Sequence, residues 1–297
     1  MKNKIRIVCL VDNVVQHSSA LWGEHGLAFL IETRAGNVLF DTGQSGSVLL
    51  HNLELLDVDP ATIEAIAISH AHYDHTGGLP AFLERACPEL ALYAHPDLFR
   101  ERFSRQGGKL RSIGLSLSRE ELAAQVTLNL STDPQEILPG VWTSGEIEPR
   151  PESEGRSAHH VVRAEDAEEE WIPDPYQDDL ALVIEDISGL TLLCGCCHAG
   201  LLNTLYHVER TFERPVATIV GGAHLANAKA EHVKRVGTVL AEKESIRYLH
   251  LNHCTGEMAY LYFLLQLGAD AVHPCPVGTS LSFILHPLPS PQPKPKV

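Results

Sequence analysis

Short apolar runs bounded by polar or glycine-containing turns recur along the chain, and their lengths predict strands. Ile5 to Val11 is the first, and Asp12-Asn13 ends it. Leu27–Thr33 and Val38–Phe40 flank Ala35-Gly36-Asn37, a hairpin by spacing. Further strands are predicted over Ile63–Ser69, Leu90–Ala94, Val126–Leu130 and Ile137–Thr143. Leu180–Ile184 and Leu190–Cys194 form a second hairpin through Ser188-Gly189, and Val216–Val220, Ile246–Leu251 and Thr279–Leu285 complete the set. Helices are predicted over Ser45–Leu56, Leu79–Ala86 with Pro80 in its first turn, Ala199 to about Glu209, Ala228–Glu242 and Met258–Leu267. A strand, a hairpin and a strand before any helix suit an α/β sandwich better than a doubly wound parallel sheet, which would alternate from the start.

Three stretches break the pattern. Arg100 to Ile113 is basic and poor in apolar residues, and reads as an exposed connection or lid. Glu146 to Asp179 holds Glu-Ile-Glu-Pro-Arg-Pro, His159-His160 and an acidic run from Glu165 to Glu170, so an excursion with little buried surface is expected there. The proline-alternating end, residues 286–297, reads as an extended tail. The remainder, residues 1–285, reads as one domain with the excursion inserted at about 146–179. No internal repeat and no dividing linker stands out.

Of the 297 residues, 44% are hydrophobic and 21% charged, ordinary for a globular chain large enough to bury a substantial core. A formal net charge of -15 argues against a nucleic-acid backbone or an anionic membrane as the main partner. It leaves room for a small anionic substrate, because bound divalent metals would invert the local sign. No apolar run approaches membrane-spanning length, and the N-terminal run lacks the features of a signal peptide. Seven cysteines, three of them in Cys194-Gly-Cys196-Cys197, fit a reducing cytoplasm rather than a disulfide framework. Nothing in the sequence sets an oligomeric state.

The chemistry concentrates in His70-Ala-His72-Tyr-Asp74-His75-Thr-Gly77-Gly78, directly after a predicted strand. Side chains alternate along an extended backbone, so His70 and His72 point to one side, and the following turn swings Asp74 and His75 back toward them. Imidazoles with a carboxylate suit Zn, Fe or Mn better than Mg or Ca, which prefer all-oxygen sites. Three later strands also end in histidine: His198 after Leu190–Cys194, His224 after Val216–Val220 and His253 after Ile246–Leu251. Groups at successive strand ends form one rim.

The stretch resembles the His-x-His-x-Asp-His signature of the metallo-β-lactamase superfamily. Glu24-His25-Gly26-Leu27, Phe40-Asp41-Thr42-Gly43-Gln44, Gly195-Cys196-Cys197-His198-Ala199-Gly200, Gly221-Gly222-Ala223-His224-Leu225 and His253-Cys254-Thr255-Gly256 extend the likeness to its dihydropterin synthase-like branch, in order from residue 5 to about 285. The resemblance implies a four-layer αββα sandwich with one or two metal ions at its rim, zinc foremost and Fe or Mn as alternatives. It implies that His70, His72 and His198 hold one metal and Asp74, His75 and His253 the second. The bridging aspartate of the superfamily is replaced here by Cys196, which leaves a thiolate bridge, a solvent bridge or a weak second site open. Asp41 is expected beside a metal-bound imidazole, orienting it. Asp74 and His224 are the candidate catalytic residues, with His224 in substrate contact or proton transfer. His25 is a weaker candidate, and His159 and His160 are given no role.

The implied reaction joins a dihydropterin diphosphate to an aminobenzene ribofuranosyl phosphate with loss of diphosphate. The substrate would then be a small molecule bearing phosphate or diphosphate. A metallo-hydrolase that activates water against an ester, lactone, thioester or phosphoester is the alternative, and a metal-binding sensor without turnover a further one. No Walker loop, dinucleotide fingerprint or Gly-x-Ser-x-Gly elbow competes.

Overall fold

The computed structural model describes residues 4–152, 156–164 and 170–285. Residues 165–169 of the acidic run and the tail at 286–297 lie outside them. The elements in the first half are β1 (Lys4–Val11), β2 (Ala28–Glu32), β3 (Asn37–Phe40), α1 (Gly46–Leu55), β4 (Ile63–Ala67), α2 (Tyr73–Thr76), α3 (Leu79–Leu83) and β5 (Ala91–Ala94). They continue through β6 (Arg102–Gln106), β7 (Lys109–Ser112), α4 (Arg119–Ala123), β8 (Thr127–Leu130), β9 (Glu136–Leu138) and β10 (Val141–Thr143). The second half holds β11 (His160–Arg163), β12 (Trp171–Pro173), β13 (Ala181–Asp186), β14 (Gly189–Cys194), α5 (Leu201–Thr211) and β15 (Val216–Gly221). Last come α6 (Ala230–Glu242), β16 (Tyr248–Leu251), α7 (Glu257–Leu267), β17 (Val272–Pro274) and β18 (Ser280–Ile284).

Two sheets stack face to face. One has the order β18-β1-β2-β3-β4-β5-β8, the other β17-β16-β15-β14-β13-β10-β9. Strand periodicity places their side chains. In β1, Ile5, Ile7 and Cys9 enter the layer between the sheets with Phe29, Phe40, Leu182, Leu193 and Val220, while Val8 and Leu10 face α1 and α3 through Leu49, Leu53 and Phe82. The far face of the second sheet packs on α5, α6 and α7 through Leu205, Val236 and Phe263. Helix, sheet, sheet and helix make the expected four-layer sandwich. Each fully buried Leu, Ile or Phe in these layers contributes roughly 1.5–3 kcal/mol over its exposed state. Among the described residues no helix is long and apolar enough to cross a membrane.

Two expected readings change. Ile137–Thr143 is not one strand: Pro139-Gly140, with Gly140 at φ 78°, turns the chain between β9 and β10, which pair antiparallel. The expected lid at Arg100–Ile113 is a hairpin, β6–β7, turning at Gly107 and Gly108. β11 and β12 from the excursion join it in a third sheet of order β12-β11-β6-β7.

Candidate metal centre

The parallel strands β3, β4 and β5 of the first sheet and β14, β15 and β16 of the second share one rim with the end of β1. After β4 the chain turns through α2, where the Thr76 hydroxyl donates to the His72 carbonyl at 3.1 Å and brings Asp74 and His75 back to the rim. Gly77 and Gly78 are required by close approach. A Cβ on Gly77 would lie 2.2 Å from the Gln44 carbonyl oxygen, and one on Gly78 2.1 Å from that of Thr42. That contact sets Asp41, at the end of β3, against His75.

Hydrogen bonds fix the imidazole tautomers. The Ser69 hydroxyl donates to Asp41 Oδ2 at 2.7 Å and so accepts from His70 Nδ1 at 2.9 Å, which leaves His70 Nε2 free to face His72 Nδ1 at 3.1 Å. His75 donates Nδ1–H to Asp41 Oδ2 at 2.6 Å, aiming Nε2 at the Cys196 sulfur, 3.2 Å away. On the other side Asp12 accepts the His253 N–H at 2.8 Å, and Asn13 Oδ1 lies 3.1 Å from His253 Nδ1. His253 Nε2 stands 3.4 Å from Asp74 Oδ2, His75 Nε2 3.7 Å and His25 Nε2 3.3 Å from the same oxygen.

These separations fit a metal. Two donors of one tetrahedral zinc stand roughly 3.3–3.8 Å apart, given bonds of about 2.0–2.3 Å. The donor atoms of His70, His72 and His198 lie within 4.8 Å of one another, as do those of His25, Asp74 and His253. Cys196 belongs to both sides, grouping with His70 and His75, with His198 and His224, and with His253 and Cys254. Cys197, by contrast, sits in the core beneath α5. Several rim residues hold positive φ without being glycine: Asp41 at 59°, Tyr176 at 50°, His224 at 50° and His253 at 49°. Backbone strain of this kind persists where the surroundings impose it, and it clusters at functional sites.

The charges follow from burial and neighbours. Burial lowers His70 and His72 well below the ordinary imidazole value, and the surrounding imidazoles push the same way. Burial also opposes the charge on His75, but the carboxylates of Asp41 and Asp74 outweigh it and raise the group to about 9. Asp74 is held well below the usual carboxylate range. Its burial acts upward and is outweighed by His75 and His253. His224 is raised despite burial, through Cys254, whose sulfur accepts the His224 backbone N–H at 3.2 Å, and through Asp179 and Asp74.

The 146–179 excursion proves to be part of the site. Asp178 accepts the Ala71 N–H, between His70 and His72, at 2.8 Å, and Asp179 accepts the Ala199 N–H, beside His198, at 2.8 Å. Asp178 is held in turn by Arg102, whose fully buried guanidinium pairs with Asp178 at 2.7 Å, Asp97 at 2.7 Å and Asp174 at 3.1 Å. The hairpin is exposed from Arg105 to Ser112, as expected, but its base is anchored: Arg102 of β6, through Asp178, ties the hairpin and the excursion to the backbone of the metal motif. The expectation of little buried surface fails at Asp174, Tyr176, Asp178 and Asp179, where one buried arginine compensates carboxylates that composition alone marks as solvated.

Tyr176, fully buried, stacks on His198 with ring centres 4.3 Å apart and planes 2° from parallel. Its hydroxyl lies 2.9 Å from Nδ1 of His160, so His160, contrary to expectation, joins the site. His160, Arg111, Asn13, His72, His224 and Cys254 are among the residues lining a cavity of about 300 Å³ over the rim.

His70, His72, Asp74, His75, His198, His224, His253, Cys196 and Asp41 thus converge on one rim. His25 joins them more closely than expected, and His159 lies on the exposed surface. Sequence reasoning assigned no role to Asp12, Cys254 or His160 and did not single out Tyr176, Asp178 or Asp179. Asp178 and Asp179 carried one usable signal, two carboxylates at the start of a predicted strand.

The model of a family described as the metallo-beta-lactamase superfamily matches residues 21–194. A curated relative from Methanocaldococcus jannaschii, 7,8-dihydropterin-6-methyl-4-(β-D-ribofuranosyl)-aminobenzene-5'-phosphate synthase, is 30% identical over 281 residues, covering 90% of this chain and 93% of its own. The crystal structure of Tm1679, described as a metal-dependent hydrolase of the β-lactamase superfamily, matches with TM-score 0.77 at 25% identity over 93% of this chain and 98% of its own. The fold protein YhfI of Bacillus subtilis matches at TM-score 0.56 and 13% identity, over 95% of this chain and 100% of its own.

Proposed function

The chain belongs to the metallo-β-lactamase superfamily, in its dihydropterin synthase-like branch, and we propose that it is a metal-dependent transferase joining a dihydropterin diphosphate to an aminobenzene ribofuranosyl phosphate with loss of diphosphate. The observation that carries the reading is the donor rim beneath a polar cavity: His70, His72 and His198 group on one side, His25, Asp74 and His253 on the other, and Cys196 groups with His70 and His75 and with His253 and Cys254. The likeness to a relative named for this synthesis, along nearly the whole of both chains, supports the choice of reaction.

In this reading His70, His72 and His198 would hold one metal and Asp74, His75 and His253 the second, with the Cys196 thiolate a further donor available to them. Imidazole and thiolate donors favour zinc. When bound, the metals supply charge stabilisation for the oxygens of a departing diphosphate. The chain's own residues do the rest. Asp41 and Ser69 fix which nitrogens of His70 and His75 face the centre. His224, raised toward its protonated form and with Nδ1 lacking a hydrogen-bond partner among the described residues, holds a proton for the leaving group. Asp178 and Asp179 keep both ligand loops in register.

Hydrolysis of an ester, lactone, thioester or phosphoester is the second reading, favoured by the likeness to the solved hydrolase. Supplying the diphosphate-bearing pterin with and without an arylamine acceptor separates the two. Diphosphate release only with acceptor present supports the transferase. Turnover of an activated ester or phosphodiester without acceptor, at about 1 per second or faster, overturns it.

A further inference from the structure

We propose that His160 and Arg111, carried on the third sheet, form the grip for a phosphate or diphosphate group in the cavity, and that Tyr176 sets the tautomer with which His160 acts. The inference rests on the transferase reading for its substrate class and adds the residues that bind the anion.

The register places them. β11 pairs with β6 so that His160 lies opposite Ser104, and β6 pairs with β7 so that Ser104 lies opposite Arg111. Directly paired residues on adjacent strands project to the same face of a sheet. His160, Ser104 and Arg111 therefore form one row across three strands, and both ends of it line the cavity. The Arg111 guanidinium stands 5.2 Å over the ring of Tyr73 in the metal motif, which holds it beside the rim. The His160 ring meets His72 edge to face, with centres 4.9 Å apart.

Tyr176 decides what His160 offers. Its hydroxyl oxygen accepts the Ser157 N–H at 3.2 Å, so its single hydrogen is free to donate to His160 Nδ1 at 2.9 Å. A neutral imidazole that accepts at Nδ1 carries its proton on Nε2. His160 lines the cavity, so an N–H donor is offered to the substrate there. A second donor comes from Arg111, whose guanidinium suits phosphoryl oxygens. In a chain of net charge -15, a cation and a fixed donor facing the rim from the same row match an anion.

The test uses the metal-loaded full chain and inorganic pyrophosphate, with binding followed by calorimetry and metal content by elemental analysis. His160→Ala and Arg111→Ala should each weaken pyrophosphate binding by about tenfold to a hundredfold, the loss of a hydrogen bond to a charged group, with metal content unchanged. His160→Gln, which keeps an N–H donor, should retain most of the affinity. Tyr176→Phe preserves the stack on His198 and should weaken binding in the His160 protein but not in the His160→Gln protein, where there is no tautomer to set. Alanine variants that bind pyrophosphate as the wild type does, with metal in place, would overturn this inference alone. Metal-loaded wild type that binds no pyrophosphate would overturn it together with the diphosphate-releasing reading.

Discussion

His75 Nε2 and the Cys196 sulfur lie 3.2 Å apart, one donor from each side of the rim. A thiolate there should ligate, binding zinc at about 2.3 Å. Cobalt-substituted wild type should therefore show sulfur-to-metal charge-transfer absorption that Cys196→Asp lacks. The aspartate variant should keep metal and lose sensitivity to peroxide, whereas Cys196→Ala should bind metal more weakly. Equal metal in all three proteins, with unchanged cobalt spectra, would assign Cys196 to packing.

Asp41 touches no expected metal position, yet it accepts from both His75 and Ser69. Removing such an orienting carboxylate should cost about 10–100-fold in metal affinity. Competition against a chelator measures it for Asp41→Ala. Affinity equal to wild type would mean that the ring of His75 is held by packing alone.

Arg102 is buried among three carboxylates. Taking away one member of a buried ionic cluster leaves charge uncompensated, so Arg102→Met should lose about 3–5 kcal/mol. Urea denaturation of the metal-free protein reads the loss directly. A change below about 1 kcal/mol would place the cluster in contact with solvent.

Burial, with Asp174 and Asp97 nearby, raises Asp178 to about 7 against the pull of Arg102 and the Ala71 N–H. Unfolded, the group titrates near 3.9. A raised folded value means that the stabilising contribution is full below about pH 4 and is lost as pH rises through about 7. The melting-temperature advantage of wild type over Asp178→Asn should therefore shrink from pH 4 to pH 8 in metal-free protein. An advantage that grows over that range would contradict the assigned direction.

Elements with strict periodicity and a local cluster of ligands could be read from the chain alone. β1, β4 and β14, together with His70, His72, Asp74 and His75, fall within single short windows, and the strand-end histidines follow from the same pattern. Division of the ligands between two sites came from family resemblance, since spacing cannot say which loops meet. What escaped depends on partners distant in sequence. Arg102 gives Asp178 its buried place, and Tyr176 gives His160 a tautomer, but neither relationship leaves a local pattern. The hairpin turns at Pro139-Gly140 and Gly107-Gly108 did carry a local signal, obscured in each case by reading the flanking residues as one stretch.

The metal content of the purified protein after supplemented expression tests the metal centre most directly. Wild type should carry between one and two equivalents of a transition metal, zinc foremost. His70→Ala and His72→Ala should lose the first site, and Asp74→Ala should empty the second while sparing the first. Equal loss at both sites in Asp74→Ala would contradict the division of ligands. A wild type holding no transition metal would contradict the metal centre itself.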